Sequence, residues 1–265
     1  MAQESSTDFK TPLATTWTLD AAAPQQKTAI KSVLLIACSA TGLKGTGFLV
    51  RSGVIVTNHH VVAGCAAGQV VGITSSGVRV TFSGMVTDAD VDLAALKPSV
   101  PLKGGLTLGT DRHPKLGTTV STWGYPLIFN GPAPLLSVGY VAGYSEDESN
   151  GKRVKHIVVN GAFNPGNSGG PLLTEHDGRV VGVVVAKFHL YPRIVKDAIE
   201  VLAKNPSGVV YTATDANGQP KNLSEAQVVA IVLEQFYKTT QVMIGEAISV
   251  SELRRFLEAN KAQLR

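Results

Sequence analysis

The feature that most restricts the fold of this chain is a long series of short apolar runs, each followed by Gly, Pro, Asn or Asp. From residue 31 onward, runs such as SVLLIAC, GTGFLV, GVIVTN and VRVTFSGMV are rich in β-branched residues. Such side chains pack well on a pleated strand, and the breakers supply turns at intervals of about 8–12 residues. This texture predicts an all-β protein built as a sandwich or a barrel.

The strand-like runs form two sets of similar size, and a Pro- and Gly-bearing join around PSVPLKGG and DRHPKLG separates them. We therefore predict two packed six-stranded antiparallel β-barrels with a helical insertion and a C-terminal helix. The predicted division is an N-terminal arm at 1–27, a first barrel at 28–115, a second barrel at 116–188 and 243–250, a mainly helical insertion at 189–242 and a C-terminal helix at 251–265.

Helical spacing replaces the strand pattern after residue 188. YPRIVKDAIEVLAKN has apolar residues at helical intervals, and LSEAQVVAIVLEQFYK begins with a capping box of Ser224 and Gln227. A second capping box, Ser249 with Glu252, begins the final helix. The insertion at 189–242 is either a structural elaboration or the docking element of a regulatory protein partner, and both interpretations stay open.

Composition and charge exclude several classes of protein. Of the 265 residues, 44% are hydrophobic and 17% charged, which is ordinary for a globular protein and excludes global disorder. The net charge of +4 comes from scattered Lys and Arg, so nucleic acid is not an expected partner. No apolar run approaches the roughly 20 residues that span a bilayer. The polar start MAQESSTDFK does not resemble a secretory leader, so a cytoplasmic location is predicted.

The two cysteines, Cys38 and Cys65, lack the spacing of a metal site. We predict that both are buried free thiols, with a disulfide or a redox role as the alternative. No metal and no cofactor are predicted.

One serine, Ser168, lies in the glycine-rich stretch NPGNSGGPLL. A serine hydroxyl is a poor nucleophile unless a base, a group that orients the base and donors for the oxyanion surround it. Gly166 has no side chain, so its N–H and that of Ser168 can approach one oxygen. The alternative is a surface Gly–Ser loop without a chemical role.

Two further segments favour the chemical interpretation. His59 and His60 follow the strand GVIVTN, and Asp92 heads the apolar strand DLAALKP. Histidine, aspartate and serine therefore occur in the chain order of the chymotrypsin-type triad. The G-x-S-x-G elbow of α/β-hydrolases is the competing pattern, but it requires the order Ser, Asp, His and a parallel sheet.

Several segments resemble, in order along the chain, the trypsin-like protease domain of the HtrA/Deg family. They are GTGFLV, VTNHHVV, DLAALK, GYP, SVGYVAG, NPGNSGGPLL and IGEAISVSELRRFL. The resemblance covers about residues 30–188 and 243–258, without a PDZ module. It implies a serine endopeptidase that acts on proteins or peptides and requires no cofactor. Its motifs match the base to His60, the orienting carboxylate to Asp92, the nucleophile to Ser168 and the oxyanion donors to Gly166 and Ser168.

The resemblance also implies where substrate binds. The pocket for the residue before the scissile bond is expected to be lined by Ala162, Phe163, Val183, Val184, Val185 and Ala186. No carboxylate lies at its base, so a small or medium apolar residue is the expected preference. Substrate backbone is expected to add to the edge of the 183–186 strand. Asn167, a neutral residue before the nucleophile, argues against activation by N-terminal cleavage.

A catalytically silent scaffold or adaptor is the alternative from another functional class, and a chaperone-like holdase is a third. The intact His60, Asp92 and Ser168 favour the enzyme. An unperturbed histidine titrates near ~6.5, so a His60-dependent activity is expected to rise with pH through neutrality. The sequence leaves the oligomeric state open.

Overall fold

The protein is described by a computed structural model that covers residues 12–127, 129, 131–185, 193–214, 218–239 and 244–264. The chain divides into two compact units, residues 1–187 with 243–265, and residues 188–242. In chain order the elements are α1 (Leu13–Ala21), α2 (Pro24–Ser32), β1 (Val33–Cys38), β2 (Lys44–Leu49), β3 (Ile55–Thr57), α3 (His59–Val62), β4 (Val70–Thr74), β5 (Arg79–Asp88), β6 (Leu93–Pro98), β7 (Thr119–Gly124), β8 (Leu135–Ser149), β9 (Lys152–Asn160), β10 (Pro171–Thr174), β11 (Val180–Val185), α4 (Arg193–Lys204), β12 (Val210–Thr214), β13 (Pro220–Ser224), α5 (Glu225–Thr239), β14 (Gly245–Ser249) and α6 (Val250–Ala259).

The larger unit contains two closed barrels. Six strands close the first barrel in the order β1–β2–β3–β6–β5–β4, and six close the second in the order β10–β11–β14–β9–β8–β7. All neighbouring strands pair antiparallel. The predicted pair of six-stranded antiparallel barrels is therefore confirmed.

Buried aliphatic side chains fill each barrel. The first core includes Leu34, Ile36, Ile55 and Leu96. The second includes Val120, Val141, Ile157, Val159, Leu172 and Val184. A third cluster, with Ile30, Phe48, Trp123 and Leu253 among its members, joins residues of both barrels to α2 and α6. Because this third cluster contains residues of both barrels, the contact between the barrels is part of the hydrophobic core. Burial of apolar surface, at roughly 25 cal/mol per Å², is the main favourable term in the stability of such a fold.

The smaller unit contains α4, α5 and a two-stranded hairpin of β12 and β13. The helical segments predicted there are present, whereas the hairpin was not predicted. The capping box before α5 is also present. The Ser224 N–H donates to Gln227 Oε1 over 2.9 Å, and the Gln227 N–H donates to Ser224 Oγ over 3.3 Å.

The capping box predicted before α6 is wrong. Ser249 makes no side-chain cap there. Glu252 Oε1 instead accepts the Lys155 N–H over 3.3 Å and the Arg255 guanidinium over 2.6 Å. A contact with Lys155 of β9, which is remote in sequence, and one with Arg255 of α6 itself therefore replace the local cap.

Residues 1–27, predicted as an arm before the fold, include all of α1 and the beginning of α2. Pro24 occupies the first turn of α2, where its missing N–H costs nothing. Gln26 Oε1 accepts the Ala23 N–H over 3.1 Å, which supports the start of this helix. Burial of Ala29 and Ile30 then ties α2 to the cluster that both barrels share.

The prediction of free thiols is wrong, because Cys38 and Cys65 form a disulfide. Cys38 is the last residue of β1, and Cys65 lies three residues beyond α3. Their Cα atoms are 5.9 Å apart although 27 positions separate them in sequence. Within the described residues, no helix is both long and apolar enough to cross a membrane.

Candidate active site

The first half of the candidate site lies entirely in the first barrel. The β3–β6 ladder pairs Thr57 with Ala94, so the segment after β3 and the segment before β6 leave the barrel side by side. His60 Nδ1 is 2.8 Å from Asp92 Oδ2 and 3.1 Å from Oδ1, and the His60 backbone N–H donates to Oδ1 over 3.0 Å. The carboxylate therefore fixes both the ring and the backbone of His60.

The backbone of Asp92 adopts the left-handed conformation, with φ of 56°. Aspartate tolerates this region better than most residues, but such a conformation persists only when the surroundings hold it. The Asp92 carbonyl accepts the Asn58 Nδ2–H over 2.9 Å and the His59 N–H over 3.2 Å. His59 thus contributes through its backbone, and the side chain that meets the carboxylate is that of His60. The Asp92 side chain is 10% exposed and that of His60 37%, so the ring keeps a face open to solvent.

The second half of the site is the loop from Asn164 to Gly170, which we call the nucleophile loop. Asn164, Pro165, Gly166 and Asn167 form a turn closed by the Asn167 N–H and the Asn164 carbonyl over 2.9 Å. Gly166 has φ of 98°. Pro at the second position and a glycine with positive φ at the third define a type II turn. A Cβ at Gly166 would lie 2.3 Å from the Tyr125 carbonyl oxygen, so conformation and space both require glycine here.

Every carbonyl from Asn164 to Ser168 accepts a hydrogen bond. In chain order the donors are the N–H of Asn167, the N–H of Leu127, the hydroxyl of Thr46, the N–H of Gly170 and the N–H of Thr46. The Leu127 bond of 2.8 Å holds the Pro165 carbonyl, so the Gly166 N–H on the same trans peptide points in the opposite direction. That N–H has no acceptor within the part of the chain that the structure describes.

The nucleophile loop lies against the segment that carries His60. The Ser168 carbonyl accepts the Thr46 N–H over 2.8 Å. A Cβ on Gly169 would lie 2.3 Å from Thr57 Oγ1 and 3.0 Å from the Asn58 nitrogen, two residues before His60. Ser168 itself is 4% exposed. The structure therefore brings all three predicted catalytic residues to the junction of the two barrels.

The residues predicted to line the specificity pocket have different surroundings. Ala162 is half-buried, whereas Phe163 is buried in the core of the second barrel. The Phe163 ring fills the space beside Gly245, where a Cβ would lie 2.2 Å from the ring. Val183, Val184 and Val185 are buried. Ala186 lies outside the described residues.

The edge of this strand is not open to substrate at the first two of the four predicted positions, 183 and 184. Val183 pairs with Pro171 on one side and with Ile248 on the other. Val184 donates its N–H to Gly170 over 2.8 Å and accepts the Gly169 N–H over 2.9 Å. Strand addition at 183 and 184 is thus excluded, because hydrogen-bonded neighbours already flank them.

Asn167 within the nucleophile loop and Tyr125 beside it are both neutral. Asn167 is 1% exposed, and neither its Oδ1 nor its Nδ2 has a hydrogen-bond partner among the described residues. Burial raises the pKa of the Tyr125 phenol, so that neighbour also stays neutral. The loop is therefore held by neutral hydrogen bonds.

Two residues that hold this loop, Thr46 and Leu127, were missed from the sequence. Thr46 belongs to the quoted motif GTGFLV, but its contacts are with residues about 120 positions away. No local pattern identifies such a pair.

Comparison with known proteins adds an independent observation. The family described as "Trypsin-like peptidase domain" matches residues 45–183, just over half of the chain. A DegP-like periplasmic serine endoprotease of Chlamydia muridarum is 34% identical over 152 residues, which cover 54% of this chain and 28% of that protein. The chain spans 22–36% of the length of four curated relatives that it matches.

Solved structures show the same fold. The active form of a protease from M. tuberculosis aligns with a TM-score of 0.60 at 19% identity, covering 89% of this chain and 83% of that one. The HtrA-type protease AlgW with a decapeptide aligns with a TM-score of 0.59 at 17% identity, covering 91% and 67%. The resemblance to HtrA/Deg proteases that the motifs predicted is confirmed by these relatives.

Proposed function

The chain belongs to the trypsin-like peptidase domain family, and from this premise we propose that it is a serine endopeptidase using Ser168, His60 and Asp92. The contact of 2.8 Å between His60 Nδ1 and Asp92 Oδ2 carries the proposal. The His60 Nδ1–H donates a hydrogen bond to the carboxylate of Asp92. Nε2 is then the ring atom left to accept the proton of Ser168. Ser168 then attacks the scissile carbonyl, and as the C–N bond breaks His60 gives the proton to the leaving amine, which departs and leaves an acyl-enzyme. Water hydrolyses the acyl-enzyme with His60 again as base, and the proton returns to Ser168.

The N–H groups of Gly166 and Ser168 are proposed to bind the oxyanion of the tetrahedral intermediate. The type II turn and the Leu127 hydrogen bond support this role, because they fix the direction of the Gly166 N–H before substrate binds. Donors held in advance need no reorganisation as the negative charge develops.

Protein or peptide substrates are proposed, with cleavage after small or medium apolar residues. The apolar character of all six predicted lining residues, none of which carries a charge, supports this preference. A substrate strand is proposed to pair with the chain beyond Val184, because the earlier positions of β11 are occupied.

A regulatory protein partner is proposed for residues 189–242. In the described part of this unit, Val201, Val209, Val210 and Val232 are each at least 57% exposed. Exposed apolar side chains of this kind are common at protein interaction sites.

A fluorophosphonate probe tests the proposed nucleophile. We expect the wild-type chain to be labelled and Ser168→Ala to be unlabelled, with hydrolysis of fluorescent casein reduced at least about 10³-fold. Ser99→Ala, at an exposed serine after β6, is the matched control and keeps both signals. Mass spectrometry of the casein fragments then gives the residue before each cleaved bond.

Two outcomes would contradict the proposal. Persistent labelling of Ser168→Ala would place the nucleophile elsewhere. An unlabelled wild-type chain, with and without cell extract, would instead favour the scaffold or adaptor, in which the smaller unit binds a partner and the triad is silent.

A further inference from the structure

Thr46 lies in the first barrel, yet it contacts the nucleophile loop of the second. It is fully buried on β2. Its N–H donates to the Ser168 carbonyl over 2.8 Å, and its hydroxyl donates to the Gly166 carbonyl over 2.6 Å. The hydroxyl also accepts the Tyr125 N–H over 3.0 Å, and the Thr46 carbonyl accepts the Thr57 hydroxyl over 2.7 Å. One residue therefore links both proposed oxyanion residues to β3 and to the end of β7.

The direction of each hydrogen bond at the Thr46 hydroxyl is fixed by its partners. The Gly166 carbonyl can only accept, so the single hydroxyl proton is donated to it. The Tyr125 N–H can only donate, so it uses a lone pair of the hydroxyl oxygen. A side chain at position 46 must donate and accept from one atom, which serine can do and valine cannot.

From this geometry we propose that Thr46 is a positioning residue that holds the oxyanion-binding turn in its active conformation from the opposite barrel. The Gly166 carbonyl and the Asn167 N–H lie on the same peptide, and the N–H closes the type II turn onto Asn164. With the carbonyl held by Thr46 and the N–H held by Asn164, this peptide plane cannot rotate. The Gly166 N–H itself lies on the preceding peptide, whose direction the Leu127 hydrogen bond to the Pro165 carbonyl fixes, so Thr46 holds the Gly166 Cα in place while Leu127 sets the direction of the N–H. The inference rests on the proposed oxyanion role of Gly166 and Ser168.

A second buried threonine beside the same loop provides the contrast. Thr122, on β7, is also fully buried, and its Oγ1 lies 3.2 Å from where a Cβ on Gly170 would be. Its hydroxyl has no hydrogen-bond partner within the described residues. The two side chains thus share residue type and burial, and they differ in whether the hydroxyl holds the loop.

The test compares threonine-to-valine changes at the two positions. Thr46→Val keeps the shape of the side chain but leaves the Gly166 carbonyl and the Tyr125 N–H buried without a partner. We expect kcat for a peptide p-nitroanilide ending in alanine to fall about 10- to 100-fold, since a misplacement of about 1 Å can cost 10²-fold. KM is expected to stay within about threefold, because ground-state contacts with substrate are not removed. The rate of fluorophosphonate labelling is expected to fall by the same factor as kcat.

Two control variants separate positioning from packing. Thr122→Val removes the same atom at a site where no bond is lost, and kcat per labelled site is expected to match wild type. Thr46→Ser keeps the hydroxyl and loses only a methyl group, and at least a third of kcat is expected to remain. The comparison of Thr46→Ser with wild type can be made even if Thr46→Val does not fold, because serine preserves all the hydrogen bonds.

Three results would overturn the inference. They are a wild-type kcat per labelled site in Thr46→Val, an equal loss in Thr122→Val, or a Thr46→Ser as impaired as Thr46→Val. In each of these cases the fluorophosphonate probe still labels the wild-type chain. If the proposed function fails, the wild-type chain itself is not labelled. The two failures are therefore distinguishable.

Discussion

The two halves of the candidate site are held in different ways. His60 and Asp92 lie on neighbouring segments of one barrel, and the bonds among Asn58, His59, His60 and Asp92 stay within it. Ser168 belongs to a loop whose carbonyls are held by donors from β2 and from Leu127 as well as by the loop itself. The first half is assembled by its own barrel, whereas the second depends in part on Thr46 of the other barrel.

This difference indicates where a change elsewhere in the molecule can reach the chemistry. Displacing one barrel against the other leaves the His60–Asp92 pair intact but breaks the Thr46 hydrogen bonds to the nucleophile loop. Such a displacement would remove the proposed oxyanion site while leaving the proposed base in place. Order in the loop is therefore the sensitive element of the site.

The largest expected effect comes from replacing the turn glycine of the second half. Gly166→Ala puts a Cβ at a φ of 98° and 2.3 Å from the Tyr125 carbonyl oxygen, so the turn must change. We expect kcat to fall by about 10²- to 10³-fold, the cost of losing one oxyanion donor. Peptide hydrolysis per folded molecule measures it.

The control is Gly143→Ala in the same barrel. A Cβ there meets only the Val158 Cβ, at 3.9 Å, and the residue does not have positive φ. Activity is expected to match wild type. A Gly166→Ala protein with wild-type kcat would show that the turn does not form the oxyanion site.

An intermediate effect, on stability, is expected in the first half. The Cys38–Cys65 bond closes a loop of 27 residues beside α3. Replacing both cysteines with serine is expected to lower the free energy of unfolding by about 3.5 kcal/mol, as chain entropy predicts for such a loop. The His60–Asp92 hydrogen bonds do not involve the disulfide, so kcat per folded molecule is expected to change less than about threefold.

Urea unfolding of both proteins, with and without reductant, measures this effect. Wild type under reducing conditions is expected to unfold at the same urea concentration as the double variant. An unfolding midpoint that is unaffected by reductant and by the double substitution would show that the disulfide does not form in solution.

The smallest effect concerns an exposed link between the barrels. Lys152, at the start of β9, lies 3.0 Å from Asp88 and 3.1 Å from Asp90 of the first barrel. Hydrogen bonds from Asn150 and Lys152 lower the pKa of Asp90, and hydrogen bonds from both aspartates raise the pKa of Lys152. These contacts are solvated, so Lys152→Met is expected to lower the melting temperature only slightly and to leave kcat unchanged.

The pH dependence of that difference follows from the signs. A lowered Asp90 pKa stabilises the fold above the unfolded value near 3.8, and this contribution disappears as pH falls through the folded pKa. A raised Lys152 pKa stabilises below 10.5, and this contribution disappears as pH rises through the folded pKa. Melting curves of wild type and Lys152→Met are thus expected to converge at strongly acid and strongly alkaline pH. A difference independent of pH would exclude the charges as its cause.

The sequence predicts the two barrels and the candidate catalytic residues, but it does not predict the disulfide or the contacts of Thr46. Short β-branched runs and local motifs around His60, Asp92 and Ser168 are patterns within a few residues, and they predicted the fold. Pairing of Cys38 with Cys65 depends on how β1 and the end of α3 are brought together, which no local pattern encodes. The hydroxyl of Thr46 likewise acquires its role only through a residue 120 positions away.

The disulfide also bears on where the protein functions. Disulfides persist in oxidising compartments and are rare in the cytosol. The cytoplasmic location stays a prediction, and the disulfide favours an oxidising compartment instead.

The position of the smaller unit in the chain has a consequence for the history of this protein. It interrupts the chain between β11 and β14, which are adjacent antiparallel strands, with Val185 directly opposite Glu246. The described strand ends on either side of it are therefore as close together as two strands joined by an ordinary hairpin turn. Because lengthening such a turn adds little to the cost of closing it, a whole folded module can be gained, exchanged or lost there. The second barrel can thus acquire new attachments without a change in its own strand register.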